Sequence, residues 1–333
     1  MEQTNQTNVI PFGKMKKQKI GKIIPGLIRY TDILLNNRPV LLNLEVIKSC
    51  NAKCHFCPCW EMEAGPRLRD YGPIIAKIKP IMVSVNGGEP LLRTDIYDII
   101  RQVKEHCIYT AIITNAGLLT REKARKLKEA GVDQLTISMD YLDERHSKVR
   151  GIPNLHNHIP QLIPQIQEDG LENIVLNTII MNSNLDHVVD LAKKAYEWGV
   201  NISFSAYSYN KNNNDTEVIK PERQEFLKQV IEELKDLKRQ HGHIQSSDYF
   251  LDHVPIYFAH KAIGGCKAGQ RWLTVTPDGY LQPCSETARV CHYTEYSPDK
   301  FGDIDCDVCW YACRAESQAP VTISRIKDWV RRG

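Results

Sequence analysis

Residues 42–57 read Leu42-Asn43-Leu44-Glu45-Val46-Ile47-Lys48-Ser49-Cys50-Asn51-Ala52-Lys53-Cys54-His55-Phe56-Cys57, an apolar run of strand length that ends in a loop carrying three cysteines. Leu42–Ile47 has the size and composition of a β-strand. The cysteines follow at C-x3-C-x2-C spacing. Three thiolates this close, on the loop leaving the C-terminal end of a barrel strand, can grip one face of an iron–sulfur cluster and leave one iron without a protein ligand. Such an iron binds a substrate or cofactor directly, whereas a cluster held by four cysteines suits electron transfer or scaffolding. Cys59 follows two residues later, and because Pro58 stiffens the chain it reads as a bystander.

Outward from that stretch, residues 41–207 alternate short β-branched runs with longer segments of helical period, the pattern of βαβ units around a parallel sheet. Strands are expected at Leu42–Ile47, Ile81–Asn86, Tyr109–Thr114, Gln134–Met139, Ile174–Ile180 and Asn201–Ala206. Thr94–Cys107, Thr120–Ala130 and Asp186–Trp198 read as helices, with Thr94 and Thr120 as N-caps and Gly131 and Gly199 as C-terminal stops. Every crossover is helix-sized, so right-handed connections are the default. The expected fold class is α/β, a partial (β/α)6 TIM-like barrel followed by a small cysteine-rich α+β domain.

The repeat breaks after the Asn-rich loop Asn210–Asp215 and the amphipathic segment Pro221–His241. Six of the 11 cysteines then fall between Cys266 and Cys313. Pro277, Asp278 and Gly279 make a hairpin turn between Trp272–Thr276 and Tyr280–Gln282. A piece of about 85 residues with short strands makes a poor core alone, so metal ligation is its expected staple. The chain accordingly divides into an N-terminal tail and helix over 1–40, the barrel over 41–245 and the small domain over 246–333.

The three-cysteine loop, with aromatic Phe56 beside its last cysteine, resembles that of the radical S-adenosylmethionine (SAM) enzymes. Asn86-Gly87-Gly88-Glu89-Pro90, after the second strand, is similar to the family's glycine-rich, glutamate-containing segment. The resemblance implies a 4Fe-4S cluster on Cys50, Cys54 and Cys57, with the amino group of SAM met by Gly87, Gly88 and Glu89. It implies further contacts to SAM from Asn115 at the end of the third strand, to ribose from Ser138 and Asp140 at the end of the fourth, and to the methionyl carboxylate from Arg150. Asn177 and Thr178 on the fifth strand are expected to line the same cavity. Taken singly, the loop also reads as a zinc knuckle or buried thiols, Gly-Gly-Glu-Pro as a turn, and Arg150 as a surface arginine at a helix end. The order of the motifs, each at the end of a successive strand, favours the first reading.

Cys266, Gly279 and Cys284 form a C-x12-G-x4-C pattern on the hairpin, followed by Cys306-Asp307-Val308-Cys309-Trp310-Tyr311-Ala312-Cys313. This resembles the auxiliary-cluster domain of SPASM and twitch radical SAM enzymes, and six cysteines without a C-x5-C step fit the single-cluster twitch form better. The resemblance implies an auxiliary 4Fe-4S cluster on Cys266, Cys284 and two of Cys306, Cys309 and Cys313. Four thiolates suit structural zinc as well. Cys291 and Cys107 read as unligated. Tyr207, Tyr209 and Trp272 are candidate cavity walls.

Composition bounds the partners. A 333-residue chain with 42% hydrophobic and 25% charged residues is globular, and a net charge of +3 gives no field for nucleic acid. An odd number of cysteines without a secretory signal fits reduced thiols in the cytoplasm. Lys14, Lys16, Lys17, Lys19 and Lys22 read as a solvated basic tail that can also touch a membrane surface. The expected chemistry is reductive cleavage of SAM to a 5′-deoxyadenosyl radical that takes a hydrogen atom from a small-molecule or lipid-like substrate. A flavodoxin- or ferredoxin-type protein would donate the electron. A helix is expected over Gly21–Asn36, and its apolar part Ile23–Leu35, next to basic residues, raises the lipid- or isoprenoid-like option. A peptide-modifying SPASM maturase, a zinc or iron–sulfur scaffold, and an electron-transfer protein are the alternatives.

Overall fold

The computed structural model describes residues 20–322, and the tail bearing Lys14, Lys16, Lys17 and Lys19 lies outside the described residues. Helix α1 (Ile20–Leu35) leads into strand β1 (Leu41–Ile47), after which helices and strands alternate: α2 (Gly72–Ile78), β2 (Met82–Gly87), α3 (Ile96–His106), β3 (Tyr109–Thr114), α4 (Arg121–Ala130) and β4 (Gln134–Ser138). Two consecutive helices, α5 (Glu144–Arg150) and α6 (Leu155–Glu168), precede β5 (Ile174–Ile180), α7 (Val188–Glu197) and β6 (Asn201–Ala206). Then come α8 (Gln224–His241), α9 (Asp248–His260), β7 (Trp272–Val275), β8 (Tyr280–Gln282), β9 (Cys291–His292) and α10 (Ala312–Gln318).

Strands β1 to β6 are parallel neighbours in chain order, the (β/α)6 half of a barrel. Their outward residues pair as a row of aliphatics, with Val85 opposite Ile112, Ile112 opposite Leu135, and Leu176 opposite Ile202. The helices bury this row, and each such side chain contributes about 2 kcal/mol. On β1, alternation gives Leu42, Leu44 and Val46 to that core and turns Leu41, Asn43 and Glu45 to the inner face. Thr120 caps α4 by accepting from Lys123 N at 3.2 Å, and Gly131 closes it with φ of 104°.

The hairpin forms as Trp272–Val275 and Tyr280–Gln282, and it continues the barrel's sheet instead of starting another. β7 lies parallel to β1, with Leu41 opposite Trp272 and Asn43 opposite Thr274, so the open edge of β1 is covered. The turn is fastened from the barrel side: Tyr71 Oη donates to Pro277 O at 2.9 Å, and buried Arg93 bridges Tyr71 Oη, Val46 O, Leu68 O and Asp95.

Helices α2, α5, α6, α9 and α10 are not legible from residue type. α6 contains Pro160 and Pro164 and α9 contains Pro255, each removing a helical N–H donor, yet buried Ile159, Leu162, Ile163 and Ile166 hold α6 against the sheet. α1 leaves Ile24, Leu27, Ile28, Leu34 and Leu35 exposed while Ile33 is buried. Among the described residues, no helix is long and apolar enough to cross a membrane.

Candidate functional site

The cysteine loop is positioned by backbone contact with the end of β2. Gly88 N donates to Ile47 O at 2.8 Å and Glu89 N to Ser49 O at 3.0 Å. A Cβ on Gly87 would stand 2.2 Å from Ile47 O, and one on Gly88 would stand 1.9 Å from Ser49 O. The two glycines therefore admit the protein's own chain, immediately before Cys50. On the other side, Lys53 N donates to Arg150 O at 2.8 Å, tying the loop to the end of α5.

Each of the three sulfurs has a donor or cation beside it. Cys50 Sγ lies 3.4 Å from Ala52 N and 3.6 Å from Asn115 Nδ2, and Cys54 Sγ lies 3.7 Å from Arg150 Nη1. Cys59, read as a bystander from sequence, interacts with Cys57, and the pairing holds Cys57 below the usual thiol range and raises Cys59. Burial pushes Cys50 up to about 11 and Cys54 upward, against the Arg150 charge. Cys50 and Cys54 so placed stay protonated until a metal takes the proton's place, which fits a cluster-binding loop.

The polar residues at the strand ends are used in two ways. The buried Glu89 carboxylate accepts from Leu91 N (3.0 Å), Thr114 Oγ1 (2.8 Å) and Asn115 N (2.8 Å), so it ties β2 to β3 and leaves its backbone for ligand contact. Where the sequence reading gives Asp140 a ribose contact, its fully buried carboxylate instead pairs with Arg150 and accepts from Ile179 N at 3.0 Å. A buried carboxylate needs such partners. Arg150 is no surface arginine: it is buried, with its guanidinium 5.3 Å from the centre of the Phe56 ring. Ser138, Asn177 and Ser203 share one cross-strand row, with Ser203 Oγ donating to Asn177 Oδ1 at 3.1 Å. Thr178 points the other way, donating to Met139 O at 2.6 Å, because strand neighbours alternate faces.

His146, behind Asp140, accepts from Asp140 N at 3.3 Å through Nδ1, and burial followed by the Arg150 charge lowers its pKa to about 4. The folded state thus binds fewer protons than an unfolded chain whose histidine titrates near 6.5. Its contribution is lost as pH falls from about 6.5 to 4, by about 3 kcal/mol. His146→Asn keeps an acceptor without that titration. Denaturant midpoints measured from pH 7 to 4 are expected to fall more steeply for the parent than for this variant, and parallel curves would reject the assignment.

The second group of cysteines surrounds a cavity of about 60 Å³, several times what one water needs. Cys266, Cys284, Cys306, Cys309 and Cys313 line it with Trp272, Asn43 and Arg314. Cys291 and Cys107 lie elsewhere, as expected. Among the described residues no three such side chains converge tightly on a single ion; the five sulfurs ring a space instead. Burial pushes Cys284 up to about 11 and Cys309 and Cys313 up to about 12. Arg314 is 0% exposed. Its nitrogens reach Cys309 O (2.8 Å), Gly264 O (2.9 Å) and Ile263 O, and among the described residues it has no carboxylate partner. A buried cation without a counter-ion is costly. The donor set thus fits an anionic group in the cavity, as a thiolate-ligated cluster is.

Between the two groups lies a segment that sequence reading treats only as an Asn-rich loop. Asn212 Nδ2 donates to His55 O at 3.0 Å, and Asn210 lines the second cavity. Lys211 is solvent-accessible yet ringed by acids and sulfurs. Burial opposes its charge, but Cys57, Cys59, Glu286 and Glu45 more than offset it, raising its pKa. Nothing in the local sequence marks Lys211, since its surroundings come from three distant segments.

A parallel α/β half-barrel with a three-cysteine loop at the strand ends defines a class: enzymes that carry an open-iron cluster where barrel active sites gather. Residues 44–195 match the family model of the radical SAM superfamily, and they form a radical SAM domain. That family uses a 4Fe-4S cluster and SAM. The GTP 3′,8-cyclase of Aquifex aeolicus (strain VF5) is 29% identical over 184 residues, 51% of this chain and 58% of the cyclase. The PqqA peptide cyclase of Granulibacter bethesdensis is 26% identical over 262 residues, 74% of this chain and 67% of that protein. The crystal structure of Streptococcus suis SuiB bound to S-adenosylmethionine superimposes with a TM-score of 0.65 at 19% identity, covering 83% of this chain and 69% of SuiB, which shows the shared fold. The chain spans 58% of the length of the Aquifex relative.

Proposed function

We propose that this radical SAM enzyme cleaves SAM at a cluster held by Cys50, Cys54 and Cys57, and carries an auxiliary 4Fe-4S cluster in the cavity ringed by Cys266, Cys284, Cys306, Cys309 and Cys313. The substrate, a small or lipid-like molecule, would lie near Lys211, between residues 41–245 and the region from 246 onward. The observation that carries the auxiliary cluster is the fully buried Arg314 cation, without an ion-pair partner among the described residues, on a cavity lined by five cysteines. When bound, cluster and SAM supply a radical able to take an unactivated hydrogen atom. The chain's part is to orient and exclude water. Gly87, Gly88 and the backbone of Glu89 face the amino group of SAM, Asn115 and Ser138 offer polar contacts, and Asp140 holds Arg150 beside Cys54. Lys211 offers a positive charge to an anionic group of the substrate. The exposed apolar face of α1 supports the lipid-like option. A peptide substrate is the second reading, supported by the likeness to a PqqA peptide cyclase. A reducing cytoplasm and a flavodoxin- or ferredoxin-type donor complete the proposal.

Anaerobic reconstitution with iron and sulfide is expected to load about eight irons per chain, and reduction with SAM to yield 5′-deoxyadenosine. Replacing Cys50, Cys54 and Cys57 by Ala should abolish that product. Replacing Cys266 and Cys284 by Ala should leave about four irons and uncoupled cleavage. Absence of 5′-deoxyadenosine from the fully loaded protein would end the enzymatic reading; deuterium transfer into it from labelled compounds would identify the substrate.

A further inference from the structure

Among the described residues two tryptophans, Trp272 and Trp310, are almost completely buried, and their indole nitrogens differ. Trp310 Nε1 donates to Phe250 O at 3.0 Å, an ordinary satisfied donor. Trp272, only 1% exposed, has no acceptor for its Nε1. A buried donor left unpaired costs about 1–3 kcal/mol, so such groups are rare and ask for an explanation. Trp272 lines the five-cysteine cavity and packs on Cys266 and Ala268, with Cys284, Cys306 and Cys313 against the same cluster of side chains. Arg314 Nε, on the same cavity, is likewise without an acceptor. Both orphans are donors. Thiol groups are weak acceptors, so the cysteines alone do not satisfy them.

We propose that Trp272 donates its indole N–H to a sulfur of the auxiliary cluster and thereby holds that cluster's reduction potential up. The proposal rests on the auxiliary-cluster reading above. Reduction adds negative charge that spreads onto the sulfurs, so a fixed N–H donor stabilises the reduced form more than the oxidised one. The backbone of Trp272 is held by the pairing of β7 with β1, and its indole, 1% exposed and packed on Cys266 and Ala268, is enclosed away from water. Trp272 is in this sense a positioning and tuning residue, with no role in binding SAM.

The test uses the full chain reconstituted with both clusters. Trp272→Phe keeps an aromatic ring without the N–H. Incorporating benzothienylalanine at position 272 keeps the bicyclic shape and replaces the N–H by sulfur, so packing and hydrogen bonding separate. In anaerobic redox titrations followed by electron paramagnetic resonance, both variants are expected to raise the oxidised-to-reduced ratio of the auxiliary cluster about tenfold at a fixed poise, equivalent to ~59 mV for one electron. In resonance Raman spectra, exchange into D2O should shift the iron–sulfur stretches of the parent more than those of either variant. An unchanged midpoint in the benzothienylalanine protein, with its second cluster fully loaded, overturns the proposal. A parent protein that binds only about four irons and shows no second signal overturns the auxiliary-cluster reading instead.

Discussion

Gly88→Ala is expected to produce a chain that cannot hold its first cluster. The Cβ would meet Ser49 O at 1.9 Å and Lys48 O at 2.5 Å, both backbone atoms, so no side-chain rotation relieves the clash. Space would come only from prising β2 away from the end of β1, where Gly88 N and Glu89 N bond to Ile47 O and Ser49 O. Both strands are internal to the sheet, and overpacking there costs about 3 kcal/mol. The displaced segment is the approach to Cys50, so the damage falls on the site first. Iron after reconstitution should drop from about eight to about four per chain, and 5′-deoxyadenosine should vanish. Gly302→Ala is the control, since an added Cβ there meets nothing within 4 Å. A Gly88→Ala protein with full iron and normal cleavage would refute this account of the glycines.

Arg314→Met should separate the loaded protein from the metal-free one. In the loaded form the substitution removes the cation that offsets an anionic cluster and frees three carbonyls, the buried one of Cys309 and the partly buried ones of Ile263 and Gly264. Breaking such a buried arrangement costs about 3 kcal/mol, a factor of about 100 in cluster retention. Without metal the same guanidinium is a buried charge lacking a counter-ion, and an apolar side chain of similar length relieves that burden. Iron loss to a chelator should therefore accelerate about 100-fold, while the melting temperature of the metal-free variant changes much less than that of the loaded one. If both forms lose stability equally, Arg314 is only a strut for the carbonyls.

These residues also mark how far the sequence could be read. The strands Tyr109–Thr114, Ile174–Ile180 and Asn201–Ala206 are where periodicity puts them, because a parallel strand buried on its outer face must be a short apolar run. The helices that escaped are the proline-bearing α6 and α9 and the short α2, α5 and α10, whose stability comes from packing and not from propensity. The six-strand barrel was legible, but its extension by β7 was not, since pairing between Leu41 and Trp272 joins residues far apart in the chain.

By itself the sequence determined the half-barrel, the two groups of cysteines and their order along the chain. Those are local properties: a cluster ligated from one loop imposes its spacing on consecutive residues, and strands and helices impose their periods. Only the tertiary structure decided which charges are buried and what answers them. The carboxylates of Glu89 and Asp140 are spent within the protein, Cys59 serves Cys57, Lys211 stands among acids and sulfurs, and Arg314 Nε and Trp272 Nε1 are left without acceptors in residues that line the second cavity. Electrostatic and hydrogen-bond partners are set by distance in space, and the folded chain brings them together from segments that no sequence period connects.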